Sequence, residues 1–126
     1  MNADRMTIGP RPRRALLFVP GDQRARLNKA AGLAAGGIAS SDGMTVPLDA
    51  VIADLEDGVA LANKAAARAT LSAALREQAF GHAERIIRIN PVGTAYWLDD
   101  LAGTIDARPD SILIAKVEAA DQVTAV

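Results

Sequence analysis

The sequence predicts an α/β fold built from parallel βα units, and three observations carry that prediction. Four short, mostly apolar runs recur along the chain, at residues 15–19 (ALLFV), 50–55 (AVIADL), 85–90 (RIIRIN) and 111–115 (SILIA). Each is stopped by Pro, Gly or a charged side chain, and helical stretches separate them. Runs of that length with little alternation are what strands covered on both faces look like, and their spacing suits right-handed crossovers.

Each element follows from local chemistry. Residues 1–13 read as a frayed leader, because Gly9, Pro10 and Pro12 interleaved with Arg5, Arg11 and Arg13 hold no regular ladder. The folded unit is expected over 14–126. Pro20 and Gly21 close the first strand, and Asp22 is placed to cap the following helix. Leu27, Ala30, Ala31 and Ala34 recur at spacings of three and four and form its apolar face. Residues 36–47 (GGIASSDGMTVP) lack periodicity and read as an extended loop. After the second strand an Ala-rich helix runs from Asn63, a candidate N-cap, to Gln78, with Leu71 and Leu75 paired one turn apart. Gly81 and His82 end it. Pro91 and Gly93 close the third strand, a shorter helix is expected over 95–107, and another is under way from about Ala120.

Four βα units are half of what a closed barrel needs, since eight strands take about 250 residues. The 126 residues therefore read as the first half of a TIM (β/α)8 barrel, truncated before strand five. Half of the residues are hydrophobic, enough for one small core, and a net charge of −1 gives no electrostatic footprint for nucleic acid or an anionic membrane. The absence of cysteine removes disulfides, thiolate metal sites and cysteine nucleophiles. No apolar run approaches the roughly 20 residues that cross a bilayer, and a cytoplasmic location is expected.

In parallel α/β folds functional groups gather where strands end. Asp54, Glu56 and Asp57 crowd three carboxylates into four residues, a cluster that needs a cation, a basic side chain or a proton. Magnesium with its retained waters is one solution; capping of the next turn is another. Arg88 lies among Ile86, Ile87 and Ile89, where it requires an anionic partner, either an acidic substrate or an internal bridge to Glu56 or Asp57. Lys116 and Glu118 end the fourth strand; Lys116 approaches the same mouth or neutralises the acids. Tyr96 and Trp97 either wall a pocket or pack the short helix. His82, the single histidine, reads as exposed. Gly36 and Gly37 lack the spacing of a phosphate loop.

Taken together, LFVPGD (17–22), Lys29-Ala30, AVIADLEDGVA (50–60), Lys64 and Arg68, RINPVGTAYWLDDL (88–101) and AKVEAADQV (115–123) resemble the citrate lyase beta subunit, malyl-CoA lyase and related HpcH/HpaI aldolases. That resemblance implies a lyase using Mg2+ that cuts a carbon-carbon bond in a CoA or acyl-carrier thioester, such as citryl-CoA or malyl-CoA, and releases an acetyl-type thioester and a 2-oxo acid. It further implies that Arg88 holds substrate oxygens, that Glu56 and Asp57 act on the waters of the ion from its outer shell or orient Arg88, and that Phe18, Val19 and Lys29 line the CoA channel. In that family the direct magnesium ligands come from strands five and six, so they are expected beyond Val126. The isolated chain is then expected to be inactive and to act as a homo-oligomer or with a complementing barrel segment. The stretch 32–47 is longer than the link usual in the family, and Gln23 stands where a basic residue is common.

Two other readings fit parts of the sequence. A non-catalytic half-barrel would bind a partner through an open sheet edge. A receiver-like signalling domain would also carry an acidic cluster and a lysine at strand ends, although here the acids follow the second strand.

Overall fold

The computed structural model describes residues 10–126. In chain order the elements are β1 (Leu16–Pro20), α1 (Arg24–Gly36), a small hairpin of β2 (Ile38–Ala39) and β3 (Thr45–Val46), then β4 (Ala50–Asp54), α2 (Lys64–Glu77), β5 (Glu84–Ile89), α3 (Trp97–Thr104), β6 (Ser111–Ile114) and α4 (Ala120–Thr124). The four long strands form one parallel sheet in the order β1-β4-β5-β6.

Spatial order equals sequence order, so every crossover advances in the same direction. The helices accordingly share one face, α1 packed on α2 and α2 on α3. A doubly wound receiver-type sheet reverses its strand order and places helices on both faces; this sheet does neither, and the receiver reading is set aside. A sheet wound in one sense with helices outside is the geometry of a barrel wall.

Alternation along each strand sorts the residues between the faces. Val19, Val51, Ala53, Ile87 and Ile89 point to the helices and join Leu27, Ala30, Ala31, Leu71 and Leu75 in the main core. The opposite face carries Leu16, Phe18, Ile52, Ile86 and Leu113. The first strand was expected to be covered on both sides, yet Leu16 is 42% and Phe18 51% exposed. On this first strand only the helix side is covered among the described residues, whereas Ala50, Ile52 and Ile86 of the central strands form a small buried cluster on the opposite face, so an all-apolar run marks the two faces of a barrel strand without showing which one is filled.

The stretch 36–47 is not a plain loop. Gly37 takes φ +77° after α1, and a Cβ there would meet Thr45 Cγ2 at 2.3 Å. The chain then pairs Ile38 with Val46 across a turn containing Asp42-Gly43, and an Asp-Gly pair between β-branched residues is itself a hairpin signal. Asp22 forms no cap. Gln23 holds the N-cap position of α1 without a side-chain bond, and Asp22 instead accepts a hydrogen bond from the Asn63 amide at 3.3 Å. Asn63 does stand at the N-cap of α2, but it too makes no capping bond.

Of the expected leader, residues 1–9 lie outside the described residues. The rest crosses the N-terminal end of the sheet. Arg14 pairs with Asp49 before β4, Arg13 meets Glu84 at the start of β5 in two hydrogen bonds of 2.8 Å, and Arg11 lies 3.7 Å from Asp110 before β6. Asp49 also accepts the N–H groups of Arg14 and Ala15. Hydrogen bonds from Arg14 and from those amides lower its pKa from 3.8 to about 2, and Arg13 holds Glu84 below the usual range. Carboxyl groups depressed by folding stabilise the fold above their unfolded pKa and lose that contribution as pH falls through the folded value. Arg13→Ala is therefore expected to move the midpoint of acid unfolding to higher pH, followed by circular dichroism; an unchanged midpoint would deny the strap any role.

Candidate active-site mouth

Strand register brings the charged residues together. Pro20 of β1, Asp54 of β4, Arg88 of β5 and Leu113 of β6 occupy one level of the sheet, and Asp54 and Arg88 point to the open face. Their side chains meet in two parallel hydrogen bonds of 2.7 Å, Nε to Oδ1 and Nη2 to Oδ2. The third guanidinium nitrogen, Nη1, lies 3.9 Å from Glu56 Oε1. The hydrogen-bonded internal partner of Arg88 is thus Asp54, because register pairs residue 54 with residue 88; the expected bridge to Glu56 is present as a longer ion pair from the acidic turn beyond the strand end.

Asp54 also shapes the turn that follows it. Its carboxylate accepts the N–H of Glu56 at 2.9 Å and of Gly58 at 2.8 Å. Burial opposes the charge, but Arg88 and those two amides outweigh it and hold Asp54 below the usual carboxylate range. Gly21 permits the close approach of β1: its N–H donates to Asp54 O at 2.8 Å, and a Cβ would stand 2.6 Å from that oxygen.

Lys116 reaches across from the end of β6. Its ammonium donates to Glu56 Oε2 at 2.7 Å and to Asp57 Oδ1 at 3.0 Å, and these two carboxylates raise its pKa. Its backbone sits at φ 51°, in the left-handed region that non-glycine residues seldom enter. That turn directs the side chain back over β5 onto the acidic turn. Lys116 neutralises the cluster, as one of its two expected uses had it.

Two clefts flank the Glu56-Asp57 turn. One, of about 500 Å³, is bordered by Phe18, Val19, Pro20, Asp54, Asp57, Gly58 and Arg88. The Phe18 ring lies under the guanidinium, 4.9 Å from Arg88 Cζ. Val19 borders this cleft while its side chain is buried in the core. The other, of about 350 Å³, has Lys116, Lys64, Leu61 and Tyr96 in its walls. Lys29 is exposed on α1 and His82 is exposed in a turn; Trp97 packs against the core.

Behind the mouth stands a set of polar contacts that the sequence reading did not foresee. Lys64 Nζ donates to the carbonyls of Leu55 and Glu56 and lies 5.6 Å from the Tyr96 ring centroid. Arg68 Nε donates to Asp100 Oδ1 at 2.9 Å. Asn90 donates both its N–H and its side-chain amide to Asp100 Oδ2. The available signal was Lys64 and Arg68 at one-turn spacing on a helix whose interior is otherwise mostly alanine and leucine.

Among the described residues no group of three or more His, Cys, Asp or Glu is placed to hold a metal ion, and no helix is long and apolar enough to cross a membrane.

Comparison with known proteins gives this geometry a context. A family model described as HpcH/HpaI aldolase/citrate lyase matches residues 14–126. The chain is 40% identical over 115 residues to a (3S)-malyl-CoA thioesterase of Cereibacter sphaeroides, covering 91% of this chain and 36% of that one. It is 32% identical over 111 residues to the citrate lyase subunit beta of Haemophilus influenzae, covering 88% and 34%. Among solved structures, it resembles the protein CitE of Mycobacterium tuberculosis in complex with magnesium, acetoacetate and coenzyme A, with a TM-score of 0.61, 37% identity, and coverage of 90% of this chain and 37% of that one. The chain thus spans about a third of the length of the curated relatives it matches.

Proposed function

The chain belongs to the HpcH/HpaI aldolase/citrate lyase family, and from that premise we propose that it forms the first four βα units of a barrel that cleaves a carbon-carbon bond in a CoA or acyl-carrier thioester, of which citryl-CoA and malyl-CoA are the leading candidates. The observation that carries this reading is the Arg88 guanidinium, held in plane by Asp54 with Nη1 facing Glu56 at 3.9 Å and outside hydrogen-bond range of it, beside a cleft of about 500 Å³.

The chemistry is a retro-Claisen cleavage. A hydroxyl group gives up its proton and becomes the carbonyl of a 2-oxo acid. The bond to the carbon next to the thioester breaks, its electron pair forms a thioester enolate, and that enolate takes a proton on carbon. Arg88 suits this reaction because a fixed planar donor costs no reorganisation when negative charge grows on substrate oxygens. Asp54 consumes two of its donors and aims the rest. Phe18 offers an apolar wall for the acyl chain. Glu56 and Asp57, balanced by Lys116, keep the mouth acidic without leaving three bare carboxylates side by side.

Asp54, Glu56 and Asp57 each already meet a protein cation, so these residues do not make up a direct ligand set for magnesium. Glu56 and Asp57 fit a place in the outer shell, bonded to the waters of an ion whose direct ligands come from outside the described residues. The open face bearing Leu16, Phe18 and Leu113 is the surface on which complementing barrel strands would pack, whether from the same polypeptide or another.

The 126 residues alone, given magnesium and a malyl or citryl thioester, are expected to show no turnover, while a completed barrel forms a 2-oxo acid, measured by coupled reduction with a dehydrogenase. A completed barrel that forms none from any such thioester would overturn the lyase reading. Release of free thiol without a 2-oxo acid would assign hydrolysis of the thioester instead, the activity in the name of the Cereibacter relative.

A further inference from the structure

The β4–β5 ladder does not end as a parallel ladder should. Leu55 N–H donates to Arg88 O at 3.0 Å, and the evenly spaced pattern of parallel strands then calls for the Asn90 N–H to donate to Leu55 O. It does not. The Asn90 N–H turns away to Asp100 Oδ2 at 2.9 Å, and the Asn90 side chain supplies the missing rung, Nδ2 to Leu55 O at 2.9 Å. A side-chain rung thus stands in place of a backbone one at the level where the acidic turn begins.

Asp100 makes this exchange possible. Its carboxylate is fully buried, 0% exposed, and it takes three donors: the Asn90 N–H, the Asn90 amide and Arg68 Nε. A buried carboxylate so satisfied is rigid, whereas a single missing donor there would be expensive. The carbonyl that Asn90 holds is also held by Lys64, which reaches on to Glu56 O. Two polar groups from behind thus fix the peptide directly ahead of Glu56, while Glu56 faces Arg88 at 3.9 Å.

We propose that Asp100 is a positioning residue, which acts through Asn90 to set the spacing between the Arg88 strand and the Glu56-Asp57 turn. It touches neither cleft itself. The inference deepens the lyase reading, in which that spacing decides where substrate oxygens lie relative to Arg88.

The test uses two variants and a readout other than activity. In 15N-labelled chain, the Arg88 Nε–H signal and the amides of residues 55–58 report the geometry of the mouth. Asn90→Ala keeps the Arg68–Asp100 pair and the bond from the residue 90 N–H to Asp100, and removes the side-chain rung together with one donor to Asp100, so it serves even where Asp100→Asn fails to fold. Expected in both folded variants is faster hydrogen exchange, about tenfold or more, at Arg88 Nε and at residues 55–58, with β1 and α1 amides unchanged. If Asn90→Ala leaves Arg88 Nε and the turn as they were, or speeds exchange evenly through the chain, Asp100 is a scaffold residue only and the proposal falls. A completed barrel that cleaves no thioester would overturn the lyase reading and leave this result intact.

Discussion

Asp54→Ala is expected to destabilise the chain by about 3 kcal/mol, the lower end of what removal of one partner from a buried ion pair costs. The lower end applies because Arg88 keeps 23% of its side-chain exposure and water relieves part of its lost pairing. The same substitution also strips acceptors from the N–H groups of Glu56 and Gly58, and a buried donor without a partner adds about 1 kcal/mol or more. Arg88→Met should cost less, because Asp54 retains both amides. A urea titration of the two variants and the double variant reads this asymmetry directly. A stability within about 1 kcal/mol of the parent for Asp54→Ala would mean that water replaces the pair freely and that the mouth is not preorganised.

Arg88→Lys is expected to lower kcat of the completed barrel by about 10²- to 10³-fold, the magnitude seen when one aimed donor to a developing oxyanion is lost. Lysine carries the same charge, so a purely electrostatic role would survive. It lacks the fork that lets one side chain hold Asp54 through two nitrogens and present a third toward Glu56. The effect should fall on kcat more than on KM, since the charge it answers grows as the bond breaks. A kcat within about tenfold of the parent would remove Arg88 from the chemistry and leave it a structural partner of Asp54.

The two expectations rest on the same contact read in opposite directions. Asp54 was visible in the sequence as one of three crowded acids, and Arg88 as a charge inside an apolar strand that needed an anion. Their pairing was not visible. It depends on the stagger between β4 and β5, which places residue 54 opposite residue 88, and stagger is a relation between segments that periodicity within either one leaves open. The reach of Lys116 over β5 was hidden for a similar reason. It needs a left-handed backbone at a lysine, a conformation that no residue preference suggests.

What the amino-acid sequence by itself determined was the alternation of apolar runs and helical stretches, and hence four parallel βα units with their chemistry at the strand ends. Local steric and hydrophobic rules are enough for that, because each element's pattern is written within its own span. Only the tertiary structure decided which acid answers Arg88, which face of β1 stays open, and that Asp100 takes the N–H of Asn90 out of the ladder. Those outcomes turn on distances between residues ten or more positions apart, where a shift of one residue in register exchanges every partner.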